Sequence, residues 1–193
     1  VVLASVYDIP VSDEKRLRKV FPELLLLDPS HREVLDKYGI PADLTLDRAA
    51  SIIGTRYLFR GKSCTLVDFG TTLTVDFIGE DGEWKGGNIS LGCRTRFKAV
   101  NRYSKALPLV NVPDNPPAVG TSIQSSIEAG VISGIMFEIQ GYVDSGRSNI
   151  IVFTGGDANY FAKRMKNSIF VICNLILIGL ALITEDYVER KIR

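Results

Sequence analysis

The 193-residue chain is poor in cysteine, has no excess of charge of either sign, and carries no apolar run long enough to cross a bilayer. Its three cysteines, Cys64, Cys93 and Cys173, are widely spaced and odd in number, which excludes a disulfide framework and any recognisable zinc-ligand pattern. Ordinary apolar packing in a reducing compartment is the expectation for such thiols. Lysine and arginine number 23 against 22 acidic residues, so the formal charge of +1 supplies no global field to hold a polyanion, and nucleic acid is not expected as a partner. No basic, apolar and small-residue leader opens the chain. The most membrane-like stretch, residues 169–183, falls short of the roughly 20 residues a span needs and contains Asn174 and Gly179. A cytoplasmic location with no membrane partner is therefore expected. What is present is 46% hydrophobic and 23% charged residues, a mixture that excludes a wholly disordered chain and provides for one large domain or two small ones.

Alternating apolar runs and breakers predict an α/β fold. A strand opens the chain at residues 1–4, Pro10 interrupts it, and a mixed charged and apolar helix fits 12–20. A second apolar run at 23–27 and a polar connection through His31 precede a helix at 32–38. Another helix fits 46–59, with Ala49, Ala50, Ile53, Tyr57 and Leu58 on its inward face, although Gly54 lowers its propensity. Strands at 64–69, 73–78 and 84–89, punctuated by Gly70 and by the turn pair Asp81-Gly82, read as a β-meander. Residues 91–107 are helical in pattern, 109–119 form a loop around Pro113, Pro116 and Pro117, and a long helix runs from near Ser122 toward Tyr142. A strand at 150–153, a bend at Thr154-Gly155-Gly156-Asp157, a helix start at 158–165, a strand at 169–172 and a helix from about Leu175 complete the order. No internal repeat or low-complexity tract occurs.

Two acidic motifs stand out. Thr45-Leu46-Asp47-Arg48 precedes a helix, and Val67-Asp68-Phe69-Gly70-Thr71-Thr72 closes a strand. In a sheet that is parallel around them, strand ends and helix starts gather carboxylates, hydroxyls and N–H groups in one cleft for an anionic ligand. Asp47 can deprotonate a hydroxyl, and the planar donors of Arg48 suit a carboxylate or phosphate. A helix N-cap at Asp47 with a surface ion pair at Arg48 explains the same residues without function. Asp68 can hold a cation while Gly70 and Thr71 approach nucleotide phosphates, or the segment is a structural turn. Gly86-Gly87 and Gly155-Gly156 carry the same two readings, since neither completes a Walker or dinucleotide fingerprint.

Taken together, these motifs resemble type III pantothenate kinase, of the acetate and sugar kinase, heat-shock protein and actin superfamily. The resemblance runs through the opening Val-Val-Leu-Ala-Ser-Val, Tyr38, Thr45 to Arg48, Asp68 to Thr72, Gly86-Gly87, the run Gly92-Cys93-Arg94-Thr95-Arg96-Phe97, residues 120–130 and Thr154 to Asp157. It implies an α/β ribonuclease H-like, actin-like ATPase fold. Residues 1–90 would be the remainder of the first actin-like domain with its linker, and 91–193 the second. It also implies ATP-dependent phosphorylation of pantothenate to 4′-phosphopantothenate in coenzyme A synthesis. Asp47 would be the catalytic base, Tyr38, Thr45, Leu46, Asp47 and Arg48 would surround pantothenate, and Arg48 would hold its anionic end. Asp68 would bind a monovalent cation, potassium or ammonium, Thr71 would contact ATP, and Mg²⁺ would accompany ATP. A homodimer is implied, with helices at 122–142 and 94–107 as candidates for its interface.

Two departures from the family pattern matter. Ile123 occupies a position where the family places a substrate-contacting threonine, and it cannot donate the corresponding hydrogen bond. A packed Ile123 is the expectation, with Thr121 or Ser122 as substitutes for the lost hydroxyl. The family also carries an Asp-x-Gly-Asn-Thr-like phosphate-binding hairpin in an earlier portion, which residues 1–193 do not include. Residues 1–193 by themselves are therefore expected to have poor or no kinase activity, and a noncatalytic relative that binds a ligand or partner is the alternative.

Overall fold

The computed structural model describes residues 1–192 and divides into two compact units, Val1–Arg60 with the chain from Asn174 onward, and Gly61–Cys173. The first unit opens on a parallel crossover. β1 (Val2–Ala4) pairs with β2 (Leu25–Leu27), Val2 opposite Leu25 and Ala4 opposite Leu27, and α1 (Val11–Val20) connects them. α1 buries none of its residues. It is supported locally instead, by Asp13 and Glu14 in its first turn, by Arg18 and Lys19 in its last, and by a 2.7 Å bond from Arg18 to Glu14. β2 is buried throughout. The turn after it is organised by Asp28, whose buried carboxylate accepts N–H bonds from Ile9 at 2.9 Å and Ser30 at 3.0 Å and lies 2.8 Å from His31 Nδ1. The helix expected at 32–38 is a 3-10 helix, Glu33–Tyr38, closed by Gly39 at φ 59°.

α2 (Leu46–Leu58) packs along α6 (Leu175–Ile192). Glycine sets the approach. A methyl group on Gly179 would collide with the Ala50 backbone, and one on Gly54 would lie 3.0 Å from both Leu175 Cδ1 and the Leu175 carbonyl. The low helical propensity of Gly54 is thus the cost of a seat for α6, with Ala49, Ala50 and Ile52 fully buried around it. Tyr57 and Leu58 do not join the inward face as expected: they are 50% and 41% exposed. The continuously buried part of α2 ends at Thr55, one residue beyond Gly54, and the helix terminus faces solvent.

The second unit is built on a mixed sheet of order β5-β4-β3-β6-β7. β3 (Cys64–Phe69), β4 (Thr72–Ile78) and β5 (Trp84–Leu91) form the antiparallel meander, while β6 (Ile150–Gly155) runs parallel to β3 and β7 (Ile169–Val171) parallel to β6. Between β5 and β6 lie α3 (Cys93–Tyr103) and α4 (Ile123–Asp144), which pack on each other, and α5 (Ala158–Ala162) leads toward β7. α4 starts at a reciprocal capping box of Ser122 and Ser125. Val67, Phe69, Leu73 and Val75 from the sheet meet Phe97, Ile132, Ile135 and Ile139 from the helices in one core. Phe69 stacks on Phe161 with centroids 5.0 Å apart and meets Phe153 edge-on at 4.9 Å. Cys64 and Cys93 are buried and Cys173 is exposed, all three as free thiols. No described helix is long and apolar enough to cross a membrane.

Candidate active site

Parallel pairing of β3 with β6 brings two of the sequence motifs to one edge of the sheet. Asp68 lies opposite Thr154 and Phe69 opposite Gly155, so both strands release their chains at the same carboxyl end. From β3 emerge Gly70 and Thr71, with Thr71 exposed, and from β6 emerge Gly156 and Asp157. Gly155 has φ 88°, and a side chain there would run into the Asp68 carboxylate and the Phe69 backbone. Glycine is therefore required at 155 both for its conformation and for the half-buried Asp68 beside it.

The start of α3 closes on the same turn. The N–H of Gly92 donates to the Thr71 carbonyl at 3.0 Å, and the Thr95 hydroxyl donates to that carbonyl at 2.7 Å. Gly92 leaves no room for a side chain against the Gly70 and Thr71 carbonyls. Burial, and secondarily the Asp157 charge, push the Cys93 thiol up to about 11, in keeping with its packing in the core. Burial alone does the same at Cys64, up to about 11. Among the described residues no three His, Cys, Asp or Glu side chains gather as a metal cage. Asp68 and Asp157 offer hard oxygens that suit a cation at this edge, a monovalent ion or the Mg²⁺ carried by a nucleotide.

In the first unit, the acceptor motif stands at the start of α2. Arg32 fastens the loop before it, donating to the Leu44 carbonyl at 3.0 Å and to that of Pro41 at 3.2 Å. Thr45 is the N-cap, with no side-chain cap bond, and Leu46 is buried. Asp47 is exposed on the second helical residue, one carboxylate oxygen accepting from the Arg48 N–H at 3.0 Å. That corrects the N-cap reading of Asp47. Arg48 is only 9% exposed, so it is not a surface ion pair either. Tyr38 ends the 3-10 helix with its hydroxyl donating to Asp186 on α6, which also pairs with Lys37. Burial and the Asp186 bond hold the Tyr38 phenol well above its ordinary pKa. A cavity of about 430 Å³ lies against it, lined by Ile53, Arg56, Arg60 and Leu182 among others.

Ile123 is not packed as expected. It is the first residue of α4, directly after the Ser122 cap, and is 60% exposed. The Ser122 hydroxyl oxygen accepts from the Ser125 N–H at 3.2 Å and lies 2.8 Å from the Ser125 hydroxyl, so it is engaged in the helix cap. Sequence reasoning did not find Asp186, a polar residue 148 positions from Tyr38 with no local signal of the contact.

A sequence model of type III pantothenate kinase matches residues 3–145. The type III pantothenate kinase of Flavobacterium johnsoniae is 37% identical over 188 residues, covering 93% of this chain and 75% of that one. The chain belongs to the type III pantothenate kinase family. The Christiangramia forsetii enzyme of the same name is 36% identical, with 95% of this chain and 77% of the relative covered. Against the Cytophaga hutchinsonii enzyme the identity is 42%, but the match spans 63% of that relative's length. Among solved structures, a conserved Baf family transcriptional activator from Campylobacter jejuni superposes with a TM-score of 0.64 at 21% identity, covering 97% of this chain and 85% of that one. The activator of 2-hydroxyisocaproyl-CoA dehydratase from Clostridium difficile, with bound ADPNP, gives a TM-score of 0.50 at 13% identity, covering 95% and 84%. These two likenesses show the fold, the actin-like ATPase fold that a type III pantothenate kinase carries.

Proposed function

We infer that the chain is an ATP-dependent pantothenate kinase, forming 4′-phosphopantothenate in the first step of coenzyme A biosynthesis. Family membership carries the activity and favours it over a noncatalytic relative. The roles of individual residues are our assignment. Phosphoryl transfer asks the protein to present an activated hydroxyl and to neutralise charge on the transferred group. Asp47 is assigned as the general base: its carboxylate is open to an incoming hydroxyl and is steadied by the Arg48 N–H. Tyr38, Thr45, Leu46 and Arg48 surround pantothenate, Arg48 holding the carboxylate with its planar donors. Ile123 is a further substrate-contact position that offers methyl groups in place of a hydroxyl.

At the nucleotide end, Thr71 contacts ATP and Asp68 holds a monovalent cation, potassium or ammonium. Mg²⁺ bound with ATP supplies positive charge to the transferring group. The observation that supports the nucleotide reading is the shared carboxyl edge of β3 and β6, where Asp68 lies opposite Thr154 and Phe69 opposite Gly155 and the chains run on into Gly70-Thr71 and Gly156-Asp157. A homodimer accords with exposed apolar side chains on the second unit, Ile89 and Leu91 on β5 and Phe137 on α4. Product formation measured in potassium, ammonium and sodium salts tests the cation assignment. Wild type should respond to potassium and ammonium over sodium, and Asp68→Asn should lose that preference. A preference retained in Asp68→Asn refutes it.

A further inference from the structure

Hydrogen bonds outside the residues assigned so far converge where β5, α3 and α4 meet. Arg96 on α3 donates from Nε to the Leu91 carbonyl at 2.7 Å and from Nη2 to the Ser90 hydroxyl at 3.0 Å. The same Nη2 pairs with Glu138 on α4, and the Ser90 hydroxyl donates to the other Glu138 oxygen at 2.7 Å. The side chains of Arg96 and Glu138 are each 21% exposed, so these charge-assisted bonds are screened less than a surface pair. Three side chains thus close a ring between the end of β5 and the C-terminal half of α4.

What the ring holds follows from its neighbours in the chain. Leu91 precedes Gly92, whose N–H binds the Thr71 carbonyl at 3.0 Å, and Arg96 follows Thr95, whose hydroxyl binds the same carbonyl at 2.7 Å. Both clasps on the turn of Gly70 and Thr71 are therefore one residue from a group that Arg96 holds or from Arg96 itself. We propose that Glu138, through Arg96 and Ser90, is a positioning residue for ATP, fixing the start of α3 against that turn and so setting where Thr71 meets the nucleotide. The proposal rests on the reading of Thr71 as an ATP contact.

The test uses the full-length protein with Glu138→Ala, Glu138→Gln, Arg96→Lys and, as a control on the underlying reading, Thr71→Val. Amide exchange is followed for the peptides covering residues 70–72 and 91–96, together with KM for each substrate and kcat. Glu138→Ala should speed exchange at 70–72 about tenfold and raise KM for ATP about tenfold, the scale of one charge-assisted bond. KM for pantothenate and kcat should stay within about twofold of wild type, a split that loss of a purely structural bond does not produce. Glu138→Gln keeps an acceptor for Arg96 and can donate to Ser90 but loses the charge, so it should fall between wild type and Glu138→Ala, closer to wild type. Arg96→Lys keeps the charge without the fork and should resemble Glu138→Ala, which provides a second variant if the alanine protein fails to fold. If Thr71→Val raises KM for ATP while folded Glu138→Ala and Arg96→Lys match wild type, the brace is refuted and the nucleotide reading stands. If Thr71→Val leaves KM for ATP unchanged, the nucleotide reading fails and the brace with it. A fall in thermal stability with no selective rise in KM for ATP also overturns the positioning role.

Discussion

Replacing Gly179 with alanine strains the helix seat at its tightest point. The added methyl would stand 2.9 Å from the Ala50 Cα and closer still to the Ala50 carbonyl group. Because the obstacle is helix backbone rather than the flexible end of a side chain, α6 has to draw away from α2. Overpacking of this kind costs about 1–3 kcal/mol. Alanine returns at most about 1 kcal/mol through its better helical propensity. Such an approach to the Ala50 carbonyl oxygen calls for the upper end of the overpacking range, so the net loss is about 2 kcal/mol and should lower Tm by about 4–8 °C for a chain of this size. Gly54→Ala supplies the comparison: its methyl would meet Leu175 Cδ1 at 3.0 Å, an atom that can swing aside, as well as the Leu175 carbonyl at 3.0 Å. Its loss should be the smaller of the two. Thermal unfolding followed by circular dichroism reads the shifts, and peptide-level amide exchange should localise them to α2 and α6. A Gly179→Ala protein as stable as wild type would show that the helices do not approach as closely as described.

The hydrogen bond that His31 donates to Asp28 keeps the imidazole protonated above its ordinary pKa, outweighing partial burial. A group raised on folding stabilises below its unfolded value near 6.5 and loses that contribution as pH climbs through the higher folded value, so Tm should fall as pH rises above about 6.5 and His31→Gln should flatten the fall. Identical profiles for the two proteins would remove the pair from the account. Burial would raise Asp28, but the Ile9 N–H, His31 and Ser30 together hold it below the usual carboxylate range, so its contribution persists to acid pH and is lost only as pH drops through that lowered value. Restoring the hydroxyl with Ile123→Thr should lower KM for pantothenate about 2- to 10-fold, the range of one hydrogen bond. Tm should barely move because Ile123 is 60% exposed. An unchanged or higher KM would count against a substrate contact there.

Local pattern carries most of the fold. β3 occupies residues 64–69 as its apolar run predicts, α2 begins at Leu46, α4 follows Ser122, and the proline-rich stretch after Leu109 is irregular. Most of what local pattern misses depends on contacts distant in sequence. Gly54 reads as a weakness until α6 is seated on it, and nothing near Tyr57 or Leu58 says that the inward face ends at Thr55. Glu138 and Asp186 are charged residues on helices, indistinguishable in sequence from a solvated face until Arg96 and Tyr38 reach them. Ile123 differs for a local reason: an apolar side chain suggests packing, whereas a helix entrance with its own serine cap needs none. The two acidic motifs stand where their neighbours put them, at a helix start and a strand end. The parallel partner that completes the second motif is β6, which follows β3 only after the rest of the meander and two helices, so its place beside Asp68 is a property of the fold.

The central claim is that Asp47 activates the pantothenate hydroxyl. The most direct measurement is the rate of 4′-phosphopantothenate formation from ATP and pantothenate by the full-length protein and its Asp47→Asn variant, both verified as folded. Loss of a general base should lower kcat about 10²- to 10⁴-fold while KM for ATP stays within about twofold. An Asp47→Asn enzyme that turns over at a rate close to wild type would contradict the assignment.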